Sequence, residues 1–240
     1  MNIKQKLRKI LWRFGYDIKR YPQLSDPLAR RKQIFVYYDI DVVLDIGANI
    51  GQFAFQLRND LGYKKRIISF EPLSSAFEVL KAKAKNDPYW EVFNFALGDT
   101  EGREEINIAG NSYSSSLLNM LPSHIKAAPG SKYVGKEIIE VKSLETIYYD
   151  LCNLNNNVYM KIDTQGFELK VLEGSKKVLM NINTIQIEMS LVPLYEGSLL
   201  FNEMYRYMVD QGYSLVSIEP GFIDKNSGQL LQVDGIFHRF

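Results

Sequence analysis

The 240-residue chain holds one cysteine, Cys152, and two histidines, His124 and His238. One cysteine excludes an intrachain disulfide framework and suits a reducing compartment, so a cytoplasmic setting is expected. These residues are too few for a structural zinc site. A metal would have to be a hard ion held by carboxylates; no carboxylate spacing supports one, and none is expected. No apolar run reaches the roughly 18 residues of a membrane span. The basic N-terminus lacks the continuous apolar core of a signal peptide. Internal repeats and low-complexity tracts are also missing. What remains, 46% hydrophobic and 24% charged residues, is the composition of a globular protein long enough to bury a core.

Net positive charge is confined to the first 32 residues. That segment carries ten Lys and Arg against Asp17 and Asp26; with +1 for the whole chain, its +8 leaves −7 for the rest. An acidic body argues against broad nucleic-acid binding, so no nucleic-acid partner is expected. Within the segment, Ile3, Leu7, Ile10, Leu11 and Phe14 recur at three- and four-residue steps, as on one side of a helix, while Lys4, Lys6, Lys9 and Arg13 fall mostly elsewhere. Two readings follow: a helix whose stripe packs on its own domain, or peripheral membrane contact through residues 1–20. Tyr21-Pro22 and Asp26-Pro27 mark a linker. The expected division is a basic arm at 1–33 and a domain at 34–240.

From residue 34 on, apolar runs alternate with helical patterns. Strands are expected at Val42–Ile46, Arg66–Phe70, Trp90–Phe95, Val158–Ile162, Thr184–Met189 and Tyr213–Ile218. Helices are expected near Gly51–Leu61, Ser74–Lys85, Phe167–Met180 and Leu200–Gln211. The order implies an α/β fold, a mostly parallel sheet with helices on both faces. Leu230–Phe240 reads as a last strand too close to its predecessor for a crossover helix, hence antiparallel. About 100–157 breaks the rhythm and reads as an insertion or lid, with a short strand at Glu137–Val141.

The first strand runs into "VVLDIGANIGQFA". Gly47 and Gly51 bracket a turn with Asn49 between them, residue types that accept positive φ and close approach to a ligand. A dinucleotide fingerprint wants glycine at the third and sixth positions, where this chain has Asn49 and Gln52, which weakens an NAD-linked reading. Asp45, expected at the lip of the loop, would repel a pyrophosphate but suits the ammonium of S-adenosyl-L-methionine, which also carries a sulfonium. Glu71, at the end of the second strand about twenty residues on, suits a ribose diol, and Pro72 closes that strand.

With "IISFEP", "NFALGD", "SSSLL", "KIDTQGFELKVLEG", "IQIEMS", "PLYEG" and "QVDGIF" in order over roughly residues 41–238, the sequence resembles the FkbM family of S-adenosylmethionine-dependent methyltransferases. "KIDTQGFE" is the most specific block. The resemblance implies a Rossmann-like class I methyltransferase fold and methylation of a hydroxyl on a sugar, glycan or secondary metabolite. By position it implies that Asp45, Gly47, Asn49 and Gly51 line the methionine end of the cofactor, that Glu71 takes the ribose hydroxyls, and that Ala96, Leu97 and Asp99 border the adenine.

Methyl transfer from a sulfonium needs in-line positioning, and a hydroxyl acceptor also needs a base. Lys161 and Asp163 share one face of their strand; Gln186, Glu188 and Ser190 share a face of the next. Asp163 is the leading candidate base, Glu188 the second, and Lys161 the partner holding their charge, against the alternative of a structural ion pair. Glu168 reads as a helix-dipole complement. His124 is a further candidate base, against the reading of a solvated loop histidine. His238 sits at the far end of the last strand, away from the site. Ser115 and Ser116 read as a hinge laying the insertion over the cofactor, or as caps of a short helix. Tyr113, Tyr133 and Tyr195 are candidates to stack on a sugar. An NAD-linked oxidoreductase and a non-catalytic binding module are the competing classes; the oligomeric state stays open.

Overall fold

The computed structural model describes residues 3–18 and 24–240. The chain divides into two compact units, Met1–Tyr37 and Tyr38–Phe240. In the first, α1 (Ile3–Arg13) takes up the apolar periodicity. It stops where Gly15 adopts a φ of 79°. Gly15 and Tyr16 then donate their N–H groups back to the carbonyls of Trp12 and Leu11 at 3.1 and 3.0 Å, a left-handed stop suited to glycine. Tyr21-Pro22, half of the expected linker, lies outside the described residues. The other half, Asp26-Pro27, instead opens α2 (Pro27–Tyr37). Asp26 Oδ1 accepts the N–H groups of Leu28 and Ala29 at 3.0 and 3.3 Å. Pro27 occupies the first helical position, where a missing N–H costs nothing. α2 therefore runs across residue 34.

In the second unit, seven strands form one sheet in the order β3-β2-β1-β7-β8-β10-β9. They are β1 (Val42–Ile46), β2 (Arg66–Phe70), β3 (Trp90–Phe93), β7 (Val158–Ile162), β8 (Thr184–Ser190), β9 (Ser214–Pro220) and β10 (Gln232–His238). Only β10 is reversed, antiparallel to both β8 and β9. β1, at the centre, is buried along its whole length, which is why it reads as an unbroken apolar run apart from Asp45. The connections are α3 (Gln52–Gln56) with a π-helical turn at Leu57–Leu61, α4 (Ser74–Ala84), α7 (Glu168–Glu173) and α8 (Phe201–Asp210). α7 is much shorter than the expected Phe167–Met180. It ends at Gly174, whose backbone lies so close to Gly98 that a Cβ would stand 1.9 Å from the Gly98 carbonyl oxygen.

The interval expected as a largely irregular insertion is mostly regular. It contains β5 (Gly102–Ala109), α5 (Pro122–Ala127), β6 (Tyr133–Lys142) and α6 (Leu144–Leu151). β5 and β6 are antiparallel and, with β4 (Ala96–Leu97), make a small second sheet. α6 is the crossover into β7 and buries Leu144, Tyr148 and Leu151, so the α/β rhythm resumes well before residue 157.

The two faces of the large sheet differ. Leu44, Ile46, Met160, Ile162, Ile185 and Ile187 share a core with Leu172 of α7 and Met204 and Met208 of α8. The residues between them, Asp45, Lys161 and Gln186, point the other way and lie side by side in register. Phe53 of α3 covers that face, stacking on Tyr159 at 6.4 Å with Lys161 Nζ 5.3 Å from its ring. A polar row thus crosses β1, β7 and β8 near their carboxyl edge, where open α/β sheets bind ligands.

Candidate functional site

The loop after β1 is built by backbone. Gly47, Asn49 and Gly51 all have positive φ, at 76°, 47° and 82°, as their residue types imply. At Gly47 a Cβ would stand 1.9 Å from the Asp163 carbonyl oxygen, so the loop closes directly onto the end of β7. Asn49 holds its own turn, accepting the Ile50 N–H at 2.8 Å and the Gln52 amide at 3.3 Å. Glu71 closes it from the β2 side: one carboxylate oxygen accepts the Asn49 N–H at 2.7 Å, the other the Leu73 N–H at 2.9 Å. Burial raises Glu71 to about 7, against the two backbone hydrogen bonds that favour its charge. Pro72 follows, and α4 begins two residues later.

Asp45 is not at an open lip. Its side chain is fully buried because it belongs to the β1 row facing Phe53. Oδ2 accepts the Ser69 hydroxyl at 3.2 Å, and Ser69 in turn accepts the Trp90 indole at 2.9 Å. Oδ1 lies 3.6 Å from Lys161 Nζ and has no hydrogen-bond partner. Burial raises the Asp45 carboxyl above its ordinary range, opposed by Lys161. Burial also pulls Lys161 down, but Asp163 and Asp45 outweigh it and hold the ammonium charged.

The second cluster is built by side chains. Asp163 Oδ2 lies 3.2 Å from Lys161 Nζ, and a third of the Asp163 side chain is exposed. Between Asp163 and Glu188 stands Gln165, which the sequence reading did not single out. Its amide nitrogen donates to both carboxylates at 2.8 Å. Its amide oxygen accepts the Tyr195 hydroxyl at 2.7 Å, and its carbonyl accepts the Ser116 hydroxyl at 2.7 Å. Gln165 has a φ of 56°, and Gly166 follows at 99°. Gln232 of β10 adds a second amide to Glu188 at 2.7 Å. Asp234, opposite Glu188 in register, also acts on it: desolvation first, then the charges of Asp163, Asp234 and Glu168, raise Glu188 well above the carboxylate range. Glu168 does more than complement a helix dipole. It is buried, accepts the N–H groups of Thr164 and Gly166 at 3.0 Å each, and is raised by burial to about 7.

Other expected residues fall elsewhere. Leu97 is in the main core and Ala96 in the core beneath the small sheet, because "AL" is strand β4 paired to β6. Asp99 pairs with Lys170 at 2.7 Å. His124 is neither a solvated bystander nor a ready base. It is buried on α5 between Tyr195 and Phe222 at 5.1 and 5.2 Å, Nδ1 has no partner, and burial lowers it to about 4. Ser115 Oγ accepts the Ala109 N–H at 2.9 Å, pinning its segment to β5, and no helix follows for it to cap. Tyr195 is buried with its hydroxyl engaged, and Tyr133 donates to the Leu118 carbonyl at 2.7 Å; Tyr113 is exposed. His238 bonds Thr184 at the opposite end of β8, the far-end position its strand direction required.

This strand order, glycine loop and polar carboxyl edge define a Rossmann-like class I S-adenosylmethionine-dependent methyltransferase. The methyltransferase FkbM domain matches residues 45–215, and the chain belongs to that family. Among solved structures it is similar to the methyltransferase FkbM from Methylobacillus flagellatus KT, at 15% identity and a TM-score of 0.50, covering 82% of this chain and 44% of that one. The chain thus spans less than half the length of that relative. It is also similar to an rRNA methylase from Streptococcus thermophilus (10% identity, TM-score 0.48, 94% and 99% covered). A third likeness is to a SAM-dependent methyltransferase from Aquifex aeolicus (12%, 0.45, 90% and 94%). No curated protein matches the chain. The cofactor is S-adenosyl-L-methionine, which displaces the NAD-linked reading. The residues present fit it: the positive-φ loop brings backbone so close to the β7 edge that only glycine is admitted at position 47, and Glu71 braces that loop from β2.

Proposed function

We propose that the chain O-methylates a hydroxyl of a sugar, glycan or secondary metabolite, with Asp163 as the base. Bound S-adenosylmethionine supplies a methyl group activated on a sulfonium. Gly47, Asn49 and Gly51 would hold its methionine end and Glu71 its ribose. Asp163 accepts the acceptor proton, Lys161 stabilises the charge of Asp163 before the transfer, and Glu188 orients a neighbouring hydroxyl. The observation that carries this reading is the pair of carboxylates bridged by Gln165 beside the glycine loop, with Asp163 still partly open to solvent. A base needs hydrogen-bond reach to the proton it takes, and an Asp163 side chain one-third open to solvent leaves room for an acceptor to approach. The reading includes a cytoplasmic setting with peripheral membrane contact through residues 1–20. Among the described residues no helix is long and apolar enough to cross a membrane.

The test is transfer of labelled methyl from S-adenosylmethionine to a panel of sugars, glycolipids and amines. Methyl ethers made by the wild type and slowed in Asp163→Asn support the reading. Methylation confined to amine nitrogen, or cofactor binding with no transfer to any acceptor, overturns it, the latter in favour of a non-catalytic module.

A further inference from the structure

At 100° per residue, Leu7, Ile10, Leu11 and Phe14 fall within an arc of about 100°, a continuous apolar stripe along α1. Leu7, Ile10 and Phe14 are 58%, 52% and 72% exposed. Beyond the helix, the Gly15 turn brings two more large apolar groups into solvent, Tyr16 and Ile18 at 69% and 65%. With Trp12, exposed on the opposite side of the helix, six large apolar side chains are exposed within twelve residues, which are not the scattered single exposures of an ordinary surface.

Their surroundings select the occupant. Arg13 and Arg8 flank the stripe, each equally far beyond one of its two edges, with Lys9 behind. The acid in this stretch, Asp17, is paired: its carboxylate accepts Arg8 at 2.5 and 2.8 Å and the Trp12 indole at 2.9 Å, and Arg8 lies 5.2 Å from the Trp12 ring. The segment to residue 32 carries +8 against −7 for the remainder. A nucleic acid would use those charges but has no call for the apolar stripe. A bilayer surface of anionic lipid uses both, since acyl chains receive Leu and Phe while headgroups meet Lys and Arg. At 11 residues, roughly 16 Å, α1 suits lying in the interface and is too short to span it.

We propose that α1 and the Gly15–Ile18 turn form a docking surface for an anionic phospholipid bilayer, with Leu7, Ile10 and Phe14 entering the interface, Arg13 beside the stripe meeting the headgroups, and Lys9 on the far side adding longer-range attraction. This gives the peripheral contact of the functional reading a lipid chemistry and a face, and it holds whatever the acceptor.

The test is flotation of the full chain with vesicles of neutral phosphatidylcholine, and of the same lipid with roughly one-third phosphatidylserine. At least about tenfold stronger binding to the anionic vesicles is expected, falling sharply in about 0.5 M salt. The double variant Leu7→Glu/Phe14→Glu should lose binding, Lys9→Glu/Arg13→Glu should weaken it, and both should keep the wild-type melting temperature. No binding, equal binding to both vesicles, or retained binding by the Leu7→Glu/Phe14→Glu chain overturns the proposal. Early melting of that chain would show a stripe that serves the protein core, and also overturns it. Capture by single-stranded RNA but not by vesicles does the same. Calorimetry with S-adenosylhomocysteine on these preparations keeps the two readings apart: cofactor binding without vesicle binding sinks the docking surface alone.

Discussion

The cofactor side and the acceptor side of the sheet edge are made from different materials. On the cofactor side, β1 and β2 end in a loop shaped by positive φ at Gly47, Asn49 and Gly51, and Glu71 fixes that loop through backbone N–H groups. On the acceptor side, β7, β8 and β10 contribute Lys161, Asp163, Glu188 and Gln232, and Gln165 ties them together through its amide. A backbone-built site tolerates almost no added atom. A side-chain-built one keeps its shape when one member changes but loses its chemistry. Substitutions should therefore fail differently on the two sides.

The largest effect is expected at Gly47. Gly47→Ala adds a Cβ to a positive-φ residue and drives it against the Asp163 carbonyl. The backbone conformation alone costs about 1–2 kcal/mol, and the clash with rigid backbone adds more. Denaturant unfolding should show a loss above about 3 kcal/mol, or no folded protein. Gly62→Ala is the control, because its φ of 73° is similar but nothing lies within 4 Å of the added atom. It should cost only about 1–2 kcal/mol. Equal losses would mean that close approach is not what Gly47 provides.

Next is Asp163→Asn, expected to slow methyl transfer by about 10²–10⁴ on the true acceptor, the range for a general base. Unchanged turnover would make Asp163 half of a structural ion pair with Lys161.

These two positions also explain what the sequence made legible. Gly47 stands in a segment whose residue types have one strong physical reading, a positive-φ turn, while Asp163 shares a strand face with Lys161 and so reads as either a base or half of an ion pair. The strands Val42–Ile46, Arg66–Phe70 and Val158–Ile162 emerged with the bounds read from the sequence, because buried parallel strands are unbroken apolar runs. Gln165 was missed because a glutamine beside a glycine carries no signal of its own; its role appears only when β7, β8 and Tyr195 meet. Asp45 was read as exposed because the sequence marks the end of a strand but not the ring of Phe53 above it. α6 was absorbed into an expected insertion, although Leu144, Tyr148 and Leu151 show helical spacing. β4 was missed because its two residues pair with β6, some forty-five positions away. Asp26-Pro27 was read as a break when it is a helix start, since capping and turn residues are the same types.

The pH response separates the sides more gently. Glu71 and Glu168 are both raised by burial to about 7. A carboxyl whose folded value lies above its unfolded value binds its proton more tightly when folded. Its stabilising contribution is complete below the unfolded value, near 4.5, and is lost as pH rises toward 7. The ligand-free chain should therefore lose stability over that window, by up to about 1.4 kcal/mol per pH unit for each group. Glu71→Gln and Glu168→Gln should each flatten the curve, as read from melting temperature. A wild-type curve that rises across the window would contradict the burial account of both.

The smallest effect is expected at Gln165. Gln165→Ala should lower turnover about tenfold while cofactor affinity holds, since one hydrogen bond to each of two carboxylates is lost. Gln165→Glu puts a third carboxylate between two others, which should move the rising limb of the pH–rate profile to higher pH. A merely structural glutamine would leave that limb where it was.

The division of labour between the two sides is tested most directly by calorimetric titration of S-adenosylhomocysteine into the wild type, Glu71→Ala and Asp163→Asn. The account predicts binding to the wild type, a loss of about 1–3 kcal/mol in Glu71→Ala, and affinity within about threefold of wild type in Asp163→Asn. Undiminished binding in Glu71→Ala, together with its loss in Asp163→Asn, would contradict it.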